Sequence, residues 1–314
     1  MSDFIFHEEE GSFPSPSERD KINKSIDRAK FIISKFGNRP DIVEEKFHLA
    51  DLYVGRGDAG DYEKAGQFYD ELLALHPYPY LKARCLIGKA ELAIPEIKKE
   101  QIPVALDLCH TAEEVLNKLA KEEKQLPSYP FFRDKGLIIE AELRVTRDEL
   151  DEKGKHLDHL YAQKIYGRII KDRKSHWYFR SRANLGLAEL FSFHYPTKAW
   201  EGIRLCEKAA NLLRSRPHDY FAQKSAVVGA ELRINRGKEE DIKKSQETLT
   251  GLLKAKDIFP DLLARAKLDL AQISRHPKAE KLYHEVIEME GLDPYIVKKS
   301  KLLEEKFKNQ TRLK

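Results

Sequence analysis

Cysteine is scarce in this sequence, with three residues in 314: Cys85, Cys109 and Cys206. They lie far apart, no two form a CxxC motif, and each has apolar neighbours. A disulfide framework or a cysteine-based zinc site needs closely spaced cysteines, so neither is predicted. This usage is typical of a reduced protein, and we expect a cytoplasmic location.

Long apolar runs are also missing. No window approaches the roughly 18 apolar residues that a membrane-spanning helix needs. Near the N-terminus, Asp3 and the acidic run at 8–10 stand where a signal peptide would need a basic start and a continuous apolar stretch. We therefore expect neither secretion nor a membrane partner.

Glycine and proline are sparse, with 16 and 14 residues, and most lie between periodic segments rather than inside them. Strand-like alternation does not persist over any length, whereas helical periodicity does. In the first such stretch Ser15 is placed as N-cap and Pro16 as the first helical residue, and a break follows Phe36. The pattern predicts a helix from Ser15 to Phe36 and a disordered segment over residues 1–14.

An internal repeat is the strongest signal in the sequence. Six similar segments align on one alanine each, at intervals of 40, 51, 47, 42 and 41 residues: Ala50, Ala90, Ala141, Ala188, Ala230 and Ala271. We call these the marker alanines, and the helices that carry them the first helices.

Each first helix is followed by a second helix with its own small residue: Ala65, Ala105, Ala162, Ala199, Ser245 and Ala279. A larger side chain follows one turn later: Tyr69, Cys109, Tyr166, Ile203, Leu249 and Tyr283. Small residues on both helices allow an antiparallel pair to pack closely. Such pairs stack in series because none can bury both faces alone.

The copy around Ala50 resembles a tetratricopeptide repeat. The matching residues are Leu49 and Ala50, Tyr53, Ala65, Tyr69 and Pro77. The turn "GRGDAGDY" between its helices is three residues longer than in that family, and its glycines are expected to let the chain reverse direction. The resemblance implies an all-α fold, a right-handed α-solenoid of about six stacked antiparallel helix pairs, with capping helices at both ends of a single domain over 15–314.

The resemblance also implies a non-enzymatic scaffold whose first helices line a concave groove. The predicted role is binding of an extended, acidic segment of a partner protein. The candidate partner-binding residues are Lys82, Lys89, Arg133, Arg144, Arg180, Asn184 and Arg233. The carboxylate clamp known in this family is not predicted, because Phe47 and Asp51 stand at its first lysine and asparagine positions.

Charge is unevenly distributed along the chain. Residues 1–150 carry 22 basic and 29 acidic side chains, whereas residues 151–314 carry 34 and 23. A basic segment at 164–182, which includes Trp177, Tyr178 and Phe179, favours nucleic-acid binding as an alternative. A self-assembling structural protein is the third hypothesis, because oppositely charged halves attract each other.

No motif for catalysis, a cofactor or a metal is identified. The glycines at 55–60 match neither the phosphate-binding loop nor the dinucleotide fingerprint, and a GxSxG nucleophile motif is absent. In "KHLDHL", His156 and His159 lie one helical turn apart, but no third ligand is near in sequence. We interpret this motif as a solvated polar face.

The aromatic residues that recur at the breaks, as in "HPYPY" and "SYPFF", are interpreted as packing between consecutive units.

Overall fold

The computed structural model describes residues 16–37, 39, 42–96, 99–122, 129–149, 156–215, 220–255, 258–275, 277–289 and 294–312. Within these residues all regular structure is helical, which confirms the predicted all-α class. The predicted disordered segment, 1–14, lies outside the described residues.

The chain divides into two compact units, Met1–Ala183 and Asn184–Lys314. The first unit contains α1 (Pro16–Phe36), α2 (Ile42–Arg56), α3 (Asp61–Ala74), α4 (Pro79–Glu91), α5 (Ala93–Glu96), α6 (Ile102–Glu122), α7 (Tyr129–Arg147) and α8 (Leu157–Lys171). The division falls within α9 (Trp177–His194). The second unit continues with α10 (Ala199–Leu212), α11 (Tyr220–Arg236), α12 (Glu239–Leu252), α13 (Pro260–Gln272), α14 (Lys278–Ile287) and α15 (Pro294–Arg312). Handedness, repeat number and the single domain over 15–314 stay predictions.

Helices that follow one another pack together in the first unit: α1 on α2, α2 on α3, α3 on α4, α4 on α6, α6 on α7 and α7 on α8. The marker alanines of α2, α4 and α7 are fully buried, and the small residues of α3, α6 and α8 are at most 2% exposed. The predicted close approach of helices is therefore confirmed here. The core that results runs from Ile22 in α1 to Leu143 in α7.

The second unit repeats this packing from α10 to α15, each described helix lying on the next. Ser245 of α12 shows how close the approach is, because its hydroxyl donates a hydrogen bond of 3.0 Å to the carbonyl of the marker Ala230 on α11. Ala271 and Ala279, the small residues of α13 and α14, are buried as predicted.

Aromatic side chains pack between successive first helices, as the sequence predicts. In the first unit Tyr80 at the start of α4 meets Phe132 of α7 at 5.6 Å between ring centroids, and Phe131 meets Phe179 of α9 at 4.7 Å. In the second unit Tyr220 meets Phe259, just before α13, at 5.2 Å. All three contacts are edge-to-face, the arrangement that the ring quadrupoles favour.

The lengthened turn between α2 and α3 is held by its own side chains. Gly57 and Gly60 have φ of 66° and 79°, the left-handed region that glycine adopts without strain. Arg56 donates two hydrogen bonds of 2.7 Å to the buried carboxylate of Asp61. Gly55, in contrast, lies inside α2 rather than in the turn. The turn is therefore stabilised by contacts between its own residues.

The last helix, α15, covers α14. Ser300 donates a hydrogen bond of 3.2 Å to the carbonyl of Tyr283, and the ring of Phe307 lies 6.1 Å from the Tyr283 ring. Leu302 of α15 is 51% exposed. None of the described helices is both long and apolar enough to cross a lipid bilayer.

Candidate functional site

The predicted partner-binding residues differ in the contacts that they make. Four of them already pair with carboxylates: Lys89 with Asp70, Arg133 with Asp134 and Asp172, Arg144 with Glu140 and Asp158, and Arg233 with Glu207. Asp70, Asp158 and Glu207 belong to second helices, and Asp172 directly follows one. These four cations therefore tie first helices to second helices.

The other three residues differ in exposure. Lys82 is exposed, and Arg180 is partly exposed. Asn184 is 2% exposed, and Arg233 from the first group is 8% exposed. Lys82 and Arg180 can reach a partner, whereas Asn184 and Arg233 are too buried to line an open groove.

A second set of ion pairs joins successive first helices, and the sequence analysis missed it. In the first unit Arg84 bonds Glu44 at 2.6 Å, and Lys135 bonds Glu91 at 3.1 Å. Arg182 donates hydrogen bonds of 2.9 and 2.8 Å to the two carboxylate oxygens of Glu142. We call these contacts, with their counterparts in the second unit, the ion-pair ladder.

The ladder shifts the proton affinity of its members. Burial disfavours the charged form of Arg182, but the carboxylate of Glu142 outweighs this effect and raises the guanidinium pKa well above its usual value. Burial also opposes the charge of Arg84, but the carboxylates of Glu44 and Asp51 outweigh it and raise the pKa of this guanidinium. It also lies over the ring of Phe47 at 4.0 Å, a cation–π contact.

In the second unit the ladder branches. Glu189 of α9 accepts bonds from Lys224 at 2.8 Å and from Arg265 at 2.9 Å, and Arg265 also reaches Glu231 at 3.0 Å. Burial opposes the charge of Glu189, yet the two cations lower its pKa.

A sequence signal for the ladder exists. A basic residue stands six positions before the marker alanine in five copies: Arg84, Lys135, Arg182, Lys224 and Arg265. An acidic residue stands one position after it, also in five copies: Asp51, Glu91, Glu142, Glu189 and Glu231. Aligning the copies on charge as well as on alanine would have found this set.

The starts of three first helices differ from those of most second helices. α4, α7 and α9 have no acidic residue in their first turn, whereas the second helices α3, α8, α10 and α12 do and the second helix α6 does not. Within their first five residues α4, α7 and α9 instead carry a cation: Lys82, Arg133 and Arg180. A helix N-terminus itself favours negative charge, so each start adds two effects that attract an anion. We call these three cations the first-turn cations.

The "KHLDHL" motif is not a solvated face, which corrects the sequence interpretation. His159 and Asp158 are fully buried. Asp158 is held by Arg147 and Arg144 and accepts the backbone N–H of Glu149 at 2.9 Å. His156 and His159 both meet the carboxylate of Asp148, the latter at 2.9 Å. These groups tie Asp148 and Glu149, directly after α7, to the start of α8.

A crevice between α4, α6 and α7 is too small for a small-molecule ligand. Its cavity volume is about 10 Å³, far below the ~300–1,000 Å³ typical of ligand pockets. Cys109 lines it, and burial raises the pKa of this thiol far above its usual value. Burial also raises the pKa of Cys85 and of Cys206 to about 12, so all three cysteines stay protonated near neutral pH.

Comparison with known proteins adds no family. The chain matches no protein-family model, and no curated protein is significantly similar to it. Its function must therefore be argued from its own residues.

Proposed function

We propose that this protein is a non-enzymatic interaction scaffold that binds an extended, acidic segment of a partner protein. The observation that carries the proposal is the row of first-turn cations on three successive first helices. Each start combines a basic side chain with a helix N-terminus that has no acidic residue of its own in the first turn.

The ladder explains why the first-turn cations, rather than their neighbours, are the proposed contacts. Arg84 and Arg182 lie two residues after Lys82 and Arg180, and their side chains are at most 10% exposed and satisfied by glutamates. Breaking those pairs would leave a buried charge, which is costly. Lys82 is exposed, so an acidic partner can bind it without breaking a buried ion pair, and the net binding energy should be largest there.

The extended form of the ligand follows from the spacing of the cations along the fold. They belong to three helices rather than to one pocket, so one compact ligand does not explain them. An extended chain presents side chains at regular intervals and can meet one helix start after another. Carboxylates suit Arg180 because guanidinium groups bind them in a bidentate fashion, whereas Arg133 already pairs with Asp134 and Asp172.

Nucleic acid suits this surface less well. In the basic segment at 164–182, Tyr178 and Phe179 are at most 4% exposed. Phe179 packs on Phe131. Base stacking needs exposed aromatic faces, and these two are committed to the core.

Binding of an acidic peptide tests the proposal. Fluorescence anisotropy would compare a labelled, glutamate-rich peptide with a single-stranded oligonucleotide of the same net charge. We expect the peptide to bind more tightly, and Lys82→Glu and Arg180→Glu to weaken it. Lys118→Glu is the matched control, because Lys118 is an exposed cation of a second helix in the same unit.

Two results would refute the proposal. One is tighter binding of the oligonucleotide with a steep salt dependence, which would favour the nucleic-acid alternative. The other is equal loss of peptide binding in Lys118→Glu and Lys82→Glu, which would mean that general charge attracts the peptide. If neither result is obtained, affinity capture with wild type and Arg180→Glu would identify the natural partner.

A further inference from the structure

Three side chains with metal-binding atoms meet where α15 lies on α14 in the second unit. Glu280 and His284 are four residues apart on α14 and therefore share one face of the helix. Glu304 comes from α15. One donor atom from each of the three lies within 4.8 Å of the others.

The closest pair already has the spacing of two ligands on one ion. His284 Nε2 and Glu304 Oε1 are 3.2 Å apart. Two ligands at about 2.0–2.1 Å from a tetrahedral zinc ion are separated by about 3.3 Å. Glu280 is partly exposed, and its donor atom lies within 4.8 Å of the other two.

We propose that Glu280, His284 and Glu304 bind a divalent zinc ion. One imidazole and two carboxylates match the ligands that zinc takes in proteins, and the two negative charges balance the charge of the ion. The imidazole favours zinc over magnesium, which prefers oxygen ligands. His284 is 56% exposed, so water can fill the remaining position.

A similar pair elsewhere shows why the second carboxylate matters. His110 Nε2 lies 3.3 Å from Glu140 in the first unit. The next group there is the guanidinium of Arg144, 3.4 Å from the same nitrogen, and its positive charge opposes a metal ion. At His284 the next metal-binding group is the carboxylate of Glu280.

The ion would fasten α15 to the rest of its unit. The described polar contact of α15 with α14 besides this set is the hydrogen bond from Ser300 to the Tyr283 carbonyl. Ligands from both helices would make undocking of α15 require release of the metal. Binding therefore stabilises the docked state in proportion to metal concentration.

Cobalt spectroscopy and zinc titration of the full chain test the inference. The metal-free protein would be titrated with Co²⁺, whose visible absorption is strong in tetrahedral sites, and Zn²⁺ would then displace it. Thermal unfolding would be followed with Zn²⁺ and with Mg²⁺. We expect a tetrahedral cobalt spectrum, a rise in midpoint with Zn²⁺, and none with Mg²⁺.

Variants assign the site. His284→Ala and Glu304→Gln should each weaken Zn²⁺ by about 10–100-fold or more, since loss of an outer-shell partner alone costs that much. His110→Ala should bind as wild type does. His284 is exposed, so circular dichroism should show an intact fold in His284→Ala. Absence of Co²⁺ binding, or equal binding in His284→Ala and wild type, would overturn the proposal.

Discussion

The two units use the same repeat grammar but distribute charge differently along the ladder. In the first unit the ladder includes a deeply buried pair, because the side chains of Lys135 and Glu91 are 6% and 4% exposed. In the second unit Glu189 bonds two cations, Arg265 bonds two glutamates, and these groups are 13–21% exposed. The first unit therefore contains the more buried ion pair, whereas the second shares its charges in a more exposed group.

This difference indicates where a substitution should lower the stability of the fold most. A buried charge that loses its sole strong partner keeps its full desolvation cost. A charge in a shared, partly hydrated group keeps another partner and some water. Identical substitutions at equivalent repeat positions should therefore have unequal effects.

The largest expected effect is at the ladder lysines. Lys135→Met leaves the carboxylate of Glu91 buried without its ammonium partner and should lower the free energy of unfolding by about 3–5 kcal/mol. Lys224→Met leaves Glu189 bonded to Arg265 and should cost about 1 kcal/mol or less. Urea unfolding can be followed separately by Trp177 in the first unit and Trp200 in the second.

A double variant provides the control for the buried pair. Glu91→Met combined with Lys135→Met removes both charges, so much of the lost stability should return. Equal costs of the two lysine substitutions would show that sharing of charge does not protect the second unit.

Substitution of one glycine in each unit should give smaller, and again unequal, losses of stability. A Cβ at Gly88 in α4 would come within 2.8 Å of the Tyr69 ring, which cannot shift freely because its hydroxyl bonds Asp51. Gly88→Ala should therefore cost about 1–3 kcal/mol. A Cβ at Gly202 in α10 meets the methyl groups at the flexible end of Leu232, so Gly202→Ala should be nearly neutral.

Gly167→Ala in α8 is the reference, because nothing lies within 4 Å of its added Cβ. It should stabilise the protein by about 0.5–1 kcal/mol through helix propensity alone. If Gly88→Ala were as stabilising as this reference, the close contact of α3 and α4 would be disproved.

The smallest expected effect concerns the pH dependence of stability in acid. Burial opposes the charge of Asp158, but Arg147, the Glu149 amide and Arg144 lower its pKa. A lowered folded pKa contributes stability above the unfolded value of about 3.9, and this contribution is lost as pH falls through the folded pKa. Asp158→Asn should therefore flatten the acid limb of the stability profile of the first unit. An unchanged acid limb would argue against the Arg147 contact.

The sequence predicted the parts of the fold that depend on apolar pattern and small residues. The marker alanines and their partners are buried because close helix approach leaves no choice of residue there. The first-helix contacts of Lys89 and Arg144 were not predicted correctly, because the direction of a charged side chain depends on which carboxylate the neighbouring helix offers. The burial of His159 was missed for the same reason: Asp148, its partner, comes from the preceding turn.

The ladder also describes how such a chain can lengthen. Each of the four inner copies brings a cation six positions before its alanine and an acid one position after it, so a duplicated inner copy would extend the series without leaving an unmatched charge. The first and last copies each lack one of these two charges, at the position that has no neighbouring copy to pair with. The first copy has Glu44 in place of the cation, and the last has Gln272 in place of the acid. Gene duplication within the array would thus conserve charge balance, whereas loss of half a copy would not.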